Sequence, residues 1–364
     1  MDEVERIAEE CLECGSCVGE CEFLTRYCEN PREYAESILD GDLDEKAEIA
    51  FFCNMCEQCV SVCPQDLDLA KFFLQVRTRA VNEGAKIPRN LKYLQATQEY
   101  VNSDAFVFNL PKAGDTRCEQ VLFPGCHLSG YSPDLVLTTY AWLKDRIPDL
   151  GIVLQCCGAP DLDTGDVSSY EQTVARLKST LDEMGVKEVI AACPNCIYHF
   201  KNYAPQIKVL NLYEVMAEYW PEGEAGNGER VFSLHDPCKA GGDEGMQRAV
   251  RTLLERAGCQ IENHTGINKN PRCCGQGGLV PYASMNFAAE LSKQRAEELG
   301  DQVVTYCASC RNAFTSYKPT VHLLDVLFTP DLQEAGTRPV HKPAETKENQ
   351  ALLKTRLLNI YGEP

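Results

Sequence analysis

The chain has 364 residues, 44% hydrophobic and 24% charged, with a formal net charge of −19 and 21 cysteines. That length suits two or three domains of ordinary globular composition, while the acidic balance argues against nucleic acid and anionic membrane as partners. No apolar run of about eighteen residues is present, so no transmembrane segment is expected.

Met1-Asp-Glu-Val-Glu-Arg is acidic and amphipathic, unlike a secretory leader. Cysteines in such number then read as metal ligands in a reducing cytoplasm, not as a disulfide scaffold. Asp2 to Glu10 is predicted helical, with Asp2 and Glu5 as a capping pair and Val4, Ile7 and Ala8 on one face. It leads into Cys11, Cys14, Cys17 and Cys21. Two helical stretches follow, one opened by Asn30-Pro31, with Asp40-Gly41-Asp42 as the break between them. Next comes the strongest signal, Cys53, Cys56, Cys59 and Cys63-Pro64. The spacing C-x₂-C-x₂-C-x₃-C-P is the one bacterial ferredoxins use to hold [4Fe–4S] clusters, the fourth cysteine ligating the other cluster of a pair. Two runs of this spacing predict two cubanes with crossed ligation. One takes Cys11, Cys14, Cys17 and Cys63; the other takes Cys53, Cys56, Cys59 and Cys21. Zinc is the bland alternative, but it normally takes two C-x₂-C pairs. Cys28 falls outside both sets and reads as a small buried hydrophobe.

Asp66 is expected to cap a helix that runs to about Asn82 and ends at Gly84. Residues 85–118 read as a connector, helical around Leu91–Val101 and looped over Leu110 to Arg117. Two similar halves follow. The first carries Cys126, Cys156-Cys157-Gly158 and Cys193-x₂-Cys196. The second carries Cys238, Cys273-Cys274-Gly275 and Cys307-x₂-Cys310. Equivalent points lie 112 to 117 residues apart, which marks a duplicated domain. In the first half Gln120–Phe123, Ile152–Gln155 and Glu188–Ala192 read as strands. Ser132-Pro133 opens one intervening helix and Gly185 closes another, a βαβ pattern. The cysteines follow the strand ends, where open α/β sheets present ligand crevices. Gly223–Gly228 reads as a linker between the halves. After Pro330 the chain becomes a polar tail, either loosely ordered or closed by a short docking helix over Leu352–Ile360.

Each half thus has five thiols, whereas a cubane or a structural zinc needs four. Side chains of adjacent cysteines diverge, so they could reach two irons of a larger or opened cluster. The spacing favours an iron–sulfur site of unusual nuclearity over zinc, with metal-free vicinal-cysteine redox chemistry as a third reading. Cys118 and Cys259 belong to neither set and read as structural. His127 and His235 flank the cysteine motifs as core or turn residues, or as hydrogen-bond donors to cluster sulfur, and Asp236-Pro237 shapes the turn before Cys238. No G-x-G-x-x-G or P-loop fingerprint is present.

Cys156-Cys157-Gly158, Cys273-Cys274-Gly275-Gln-Gly-Gly and His235-Asp-Pro-Cys238 resemble the cysteine-rich CCG domains of heterodisulfide reductases, and the N-terminal runs resemble that enzyme's small iron–sulfur subunit. Fused in this order, over about residues 1–330, they are similar to the D-type heterodisulfide reductase chain, which joins the two. Lys239 stands where that family frequently has histidine. The resemblance implies an α+β multidomain fold: a helical bis-[4Fe–4S] ferredoxin-like domain (1–85), the connector (86–118), two α/β CCG domains (119–228 and 229–330) and the tail (331–364). It implies one or two noncubane [4Fe–4S] clusters, held by Cys126, Cys156, Cys157, Cys193 and Cys196 and by Cys238, Cys273, Cys274, Cys307 and Cys310. These would cleave a small-molecule disulfide with electrons from the two cubanes. The implied partners are flavin- or iron–sulfur-containing redox subunits of a cytoplasmic complex. The alternative is a relay protein with no substrate of its own.

Overall fold

Short apolar runs alternating with amphipathic helices build two largely parallel sheets, and a helical unit closes over them. The computed structural model describes residues 2–111, 118–221, 230–262, 266–329 and 331–362. The linker expected at Gly223–Gly228 and most of the loop expected before Cys118 lie outside the described residues.

The N-terminal unit is helical. Glu3–Glu10 carries the expected capping box between Asp2 and Glu5, and it buries Val4 and Ile7 completely. Pro31–Leu39 begins with the Asn30 side chain accepting from the backbone N–H groups of Arg32 and Glu33. Leu43–Ala50 follows the Asp40-Gly41-Asp42 break, and a further short helix, Glu22–Tyr27, precedes both. The long helix Leu69–Glu83 ends at Gly84 in the left-handed conformation, but its cap is Asp68, not the expected Asp66. After Cys63-Pro64 the chain is still turning at Asp66, whose φ of 51° is incompatible with an extended N-cap residue. Two residues later the Asp68 side chain accepts from Lys71 N–H at 2.9 Å.

In the first sheet, β1 (Phe108–Leu110), β2 (Gln120–Phe123), β3 (Gly151–Leu154), β4 (Glu188–Ala191) and β5 (Val209–Asn211) lie in the order β1-β3-β2-β4-β5. Strands β2 to β5 pair in parallel, whereas β1 adds an antiparallel edge from the stretch that reads as connector. The second sheet has β6 (Arg230–His235), β7 (Cys259–Ile261), β8 (Val303–Thr305) and β9 (Thr320–His322), in the order β7-β6-β8-β9. Without β1, the two orders are the same. The internal repeat in the sequence is therefore a repeat of topology.

The polar tail folds into a 19-residue helix, Pro343–Tyr361, longer than the segment anticipated. It buries Leu353 and Leu357, four residues apart on one face, against the first half. The Gln350 amide donates to the Cys126 carbonyl at 2.9 Å, so this helix braces a cysteine loop.

Arg77 joins the helical unit to both halves. Its side chain is fully buried and donates five hydrogen bonds to backbone carbonyls: two to Ala50, one each to Cys53, Gly278 and Asp163. The guanidinium also lies 4.8 Å from the centre of the Phe51 ring. Replacing it strands several buried carbonyls, each costing about 1–3 kcal/mol. Arg77→Leu should therefore lower stability by about 3 kcal/mol or more in denaturant unfolding. Arg77→Lys should recover only part, because an ammonium lacks the planar fork of five donors.

Candidate functional site

The cysteine motifs sit where strands stop. Cys126 follows β2, Cys156-Cys157 follows β3 and Cys193 follows β4; in the second half Cys238 follows β6 and Cys307 follows β8. Parallel strands deliver all of these loops to one sheet edge, which is how separated cysteines meet.

Both halves build the Cys-Cys-Gly turn identically. Gly158 and Gly275 have φ of 83° and 87°, and their N–H groups donate to the sulfurs of Cys156 and Cys273 at 3.4 and 3.3 Å. A Cβ on Gly158 would lie 2.8 Å from the Tyr170 ring, and one on Gly275 would lie 2.7 Å from the Ala288 carbonyl. Glycine is thus required by the left-handed turn and by the space around it.

The thiols gather in four groups. Cys11, Cys14, Cys17 and Cys63 line one pocket of about 150 Å³ together with Gly15 and Pro64. Burial, with Cys11 and Cys63 beside it, pushes the Cys17 thiol up to about 11. Cys21, Cys53, Cys56 and Cys59 form the second group. Burial pushes Cys53 up to about 12, and burial together with Cys53, Cys56 and Cys21 raises Cys59. The structure thus brings Cys63 of the second run to the first group and Cys21 of the first run to the second.

In the first cysteine-rich half, the sulfurs of Cys157 and Cys196 are 3.3 Å apart. Cys126 is pushed up to about 12 by burial, with Cys157 and Cys193 next to it. Cys156 is raised by its contact with Cys157 and by burial, and the Gln98 amide reaches its sulfur at 3.5 Å. In the second half Cys238 meets Cys273, Cys273 meets Cys274, and Cys310 is raised by Cys274 and Cys307. Among the described residues, no three His, Cys, Asp or Glu side chains close around a position for a single metal ion. Thiol-only groups of four and five, set among apolar side chains, suit clusters of several irons.

The groups also adjoin one another. Cys17 lies near Cys59, and Cys273 lies near both Cys21 and Cys56. Here Gly277 and Gly278 press on the Cys53-Asn54 backbone; a Cβ on Gly278 would lie 2.1 Å from the Cys53 carbonyl. The Cys193 and Cys307 thiols perturb one another, so the two five-cysteine groups adjoin. That seam reaches the surface where His127 Nδ1 and Ser309 Oγ are 3.0 Å apart. Beneath it the buried Tyr213 hydroxyl donates to the carbonyls of Ala192 and Tyr306, the residues preceding Cys193 and Cys307.

Three further features lay outside sequence reasoning. Asp236 does more than shape a turn: it pairs with Arg251 at 2.8 Å and accepts from the Tyr306 hydroxyl at 2.8 Å, tying the Cys238 loop to the Cys307 loop. Lys239 pairs with Glu57 at 2.6 Å across two units. The buried side of Arg77 carried a signal, a lone cation among Phe72, Phe73, Val76 and Ala80. Outside the groups, Cys28 is 4% exposed near Cys17 and Cys53, Cys118 is 2% exposed, and Cys259 begins β7. His235 packs against the Phe314 ring at 4.7 Å, and burial lowers its pKa far below the ordinary imidazole value.

Residues 10–68 match the 4Fe-4S dicluster domain, and residues 121–201 and 232–315 each match the cysteine-rich domain. The chain is accordingly an iron–sulfur protein with a dicluster domain ahead of two cysteine-rich domains. In this domain order it is similar to heterodisulfide reductase-related iron–sulfur proteins. One chain of the fumarate reductase (CoM/CoB) of Methanothermobacter marburgensis is 24% identical over 338 residues, covering 83% of this chain and 66% of the relative. One chain of the ferredoxin:CoB-CoM heterodisulfide reductase of Methanosarcina acetivorans is 24% identical over 113 residues, 31% of this chain and 45% of that protein. The EtfAB:quinone oxidoreductase of Syntrophomonas wolfei is 28% identical over 136 residues, 35% of this chain and 19% of that protein. The present chain spans about two thirds of the length of the fumarate reductase relative. No solved structure matches it. No helix among the described residues is long and apolar enough to cross a membrane.

Tyr213→Phe removes the hydroxyl shared by two buried carbonyls. It should cost about 1–3 kcal/mol, read by denaturant unfolding, while leaving absorbance from the N-terminal domain unchanged.

Proposed function

We propose that this protein is the electron-transferring and catalytic iron–sulfur component of a cytoplasmic heterodisulfide reductase-like complex, receiving electrons at its N-terminal domain and reducing a small-molecule disulfide between its cysteine-rich domains. Cys11, Cys14, Cys17 and Cys63 would hold one cubane [4Fe–4S] cluster, and Cys21, Cys53, Cys56 and Cys59 the other. Cys126, Cys156, Cys157, Cys193 and Cys196 would hold one noncubane cluster. Cys238, Cys273, Cys274, Cys307 and Cys310 would hold a second. When bound, such clusters supply one-electron storage at potentials tuned by charge, hydrogen bonds and solvent exposure.

The observation that carries this reading is the buried Tyr213 hydroxyl, 2.9 Å from the Ala192 carbonyl and 2.8 Å from the Tyr306 carbonyl, which holds the backbones just ahead of Cys193 and Cys307 side by side. Reducing a disulfide takes two electrons and two protons, breaks one S–S bond and leaves two thiols. Two adjoining five-cysteine groups allow each sulfur its own partner, and the exposed His127–Ser309 hydrogen bond marks where the two loops meet solvent. The pocket at Cys11, Cys14, Cys17 and Cys63 is the opposite end of the series, suited to a redox partner that donates electrons. The partner would be a flavin- or iron–sulfur-containing protein of the same complex.

A relay without its own substrate is the second reading, favoured by the match to the EtfAB:quinone oxidoreductase. Iron analysis with low-temperature EPR on anaerobically purified protein separates the two. About sixteen irons, with a signal in oxidised, thiol-treated protein distinct from reduced cubanes, is the expected result. About eight to twelve irons with cubane signals alone would overturn the disulfide reading and leave the relay. Cys274→Ser should remove the second cysteine-rich signal and spare the N-terminal ones.

A further inference from the structure

Glu57 stands between Cys56 and Cys59, and Lys239 directly follows Cys238. Their side chains meet where the three units join. Lys239 Nζ is 2.6 Å from the Glu57 carboxylate and 3.7 Å from the centre of the Tyr198 ring. Tyr198 belongs to the helix Pro194–Tyr203 of the first cysteine-rich domain, and its hydroxyl donates to the same Glu57 oxygen. Glu57 itself has a φ of 66°, so the loop places this carboxylate in a left-handed conformation that a non-glycine residue rarely adopts.

The two charges are unequally hidden. The Lys239 side chain is 12% exposed and that of Glu57 is 38% exposed. Water therefore screens the anion more than the cation, and the buried cation acts at longer range through a low dielectric. Its field is felt at Cys238 and at Cys53, one member of each neighbouring group.

We infer that Lys239 and Glu57 form a tuning pair for the two iron–sulfur sites they adjoin, Lys239 raising the reduction potentials of the groups at Cys21, Cys53, Cys56, Cys59 and at Cys238, and Glu57 lowering them. Adding an electron makes a site more negative; a fixed cation stabilises that state and a fixed anion opposes it. The better buried cation dominates, so the pair draws electrons inward from the solvent-facing group at Cys14. This inference rests on the reading that these cysteines hold clusters.

The test is EPR-monitored potentiometric titration of the full chain, purified anaerobically, as wild type, Lys239→Met, Glu57→Gln and Lys239→Arg. Lys239→Met should lower the midpoint of one dicluster signal and of the signal that Cys274→Ser removes. Glu57→Gln should raise both, Lys239→Arg should keep them near wild type, and the other dicluster signal should stay put. A purely structural contact would shift both charge-removing variants the same way or not at all, and either result overturns the inference. If Lys239→Met fails to retain iron, Glu57→Gln decides alone: an upward shift supports the pair and no shift overturns it. A wild-type protein without iron would overturn the iron–sulfur reading and this inference with it.

Discussion

One buried guanidinium decides how the units of this protein meet. Arg77 spends all five of its N–H donors on carbonyls from its own unit and from both cysteine-rich halves. An unpaired cation in that position would be prohibitively costly, so the carbonyls must stay where they are. Two of them belong to Cys53 and Gly278, which fixes the second N-terminal cysteine loop against the loop that follows Cys273-Cys274. Close backbone approach completes the fit. Gly165 leaves no room for a Cβ against the Arg77 carbonyl carbon, 2.5 Å away, and Gly278 leaves none against Cys53.

From that junction the four cysteine groups fall into a series. The pocket holding Cys14 faces solvent, the Cys53 group lies behind it, the Cys238 group adjoins that, and Cys307, adjoining Cys193, leads into the last. Each step is held by polar side chains that are not cysteines: Arg77 at the domain junction, the Lys239–Glu57 pair beside it, and Tyr213 beneath the seam. Tyr306, Asp236 and Arg251 hold the second half's two loops in register. The proposed passage of electrons would benefit from rigid spacing, and buried polar groups with satisfied partners provide it.

Duplication explains much of the architecture with little sequence. A β3-β2-β4-β5 sheet and a β7-β6-β8-β9 sheet present the same loops, and both Cys-Cys-Gly turns use a left-handed glycine whose N–H reaches the first sulfur. The halves differ where they meet other parts of the chain. The first gains the antiparallel β1 and is braced at Cys126 by the C-terminal helix. The second offers Gly277-Gly278 and Lys239 to the N-terminal domain.

The sequence by itself determined the cysteine pattern and the repeat. Cysteine spacing is a local property, and the duplicated motifs, the strand ends before them and caps such as Asn30 and Ser132 all depend on neighbours a few residues away. Helix boundaries followed where turn and cap chemistry is unambiguous; Asp66 failed because the chain was still turning after Cys63-Pro64. Only the tertiary structure decided that the polar tail is a helix packed on Cys126, since its apolar face is just Leu353 and Leu357. It alone brought Cys193 to Cys307, Cys56 to Cys273, and Glu57 to Lys239. Those partners are separated by 114, 217 and 182 residues, and no local pattern marks a residue for a neighbour that distant. Such pairings arise from how three units pack, and packing is set by the whole surface of each.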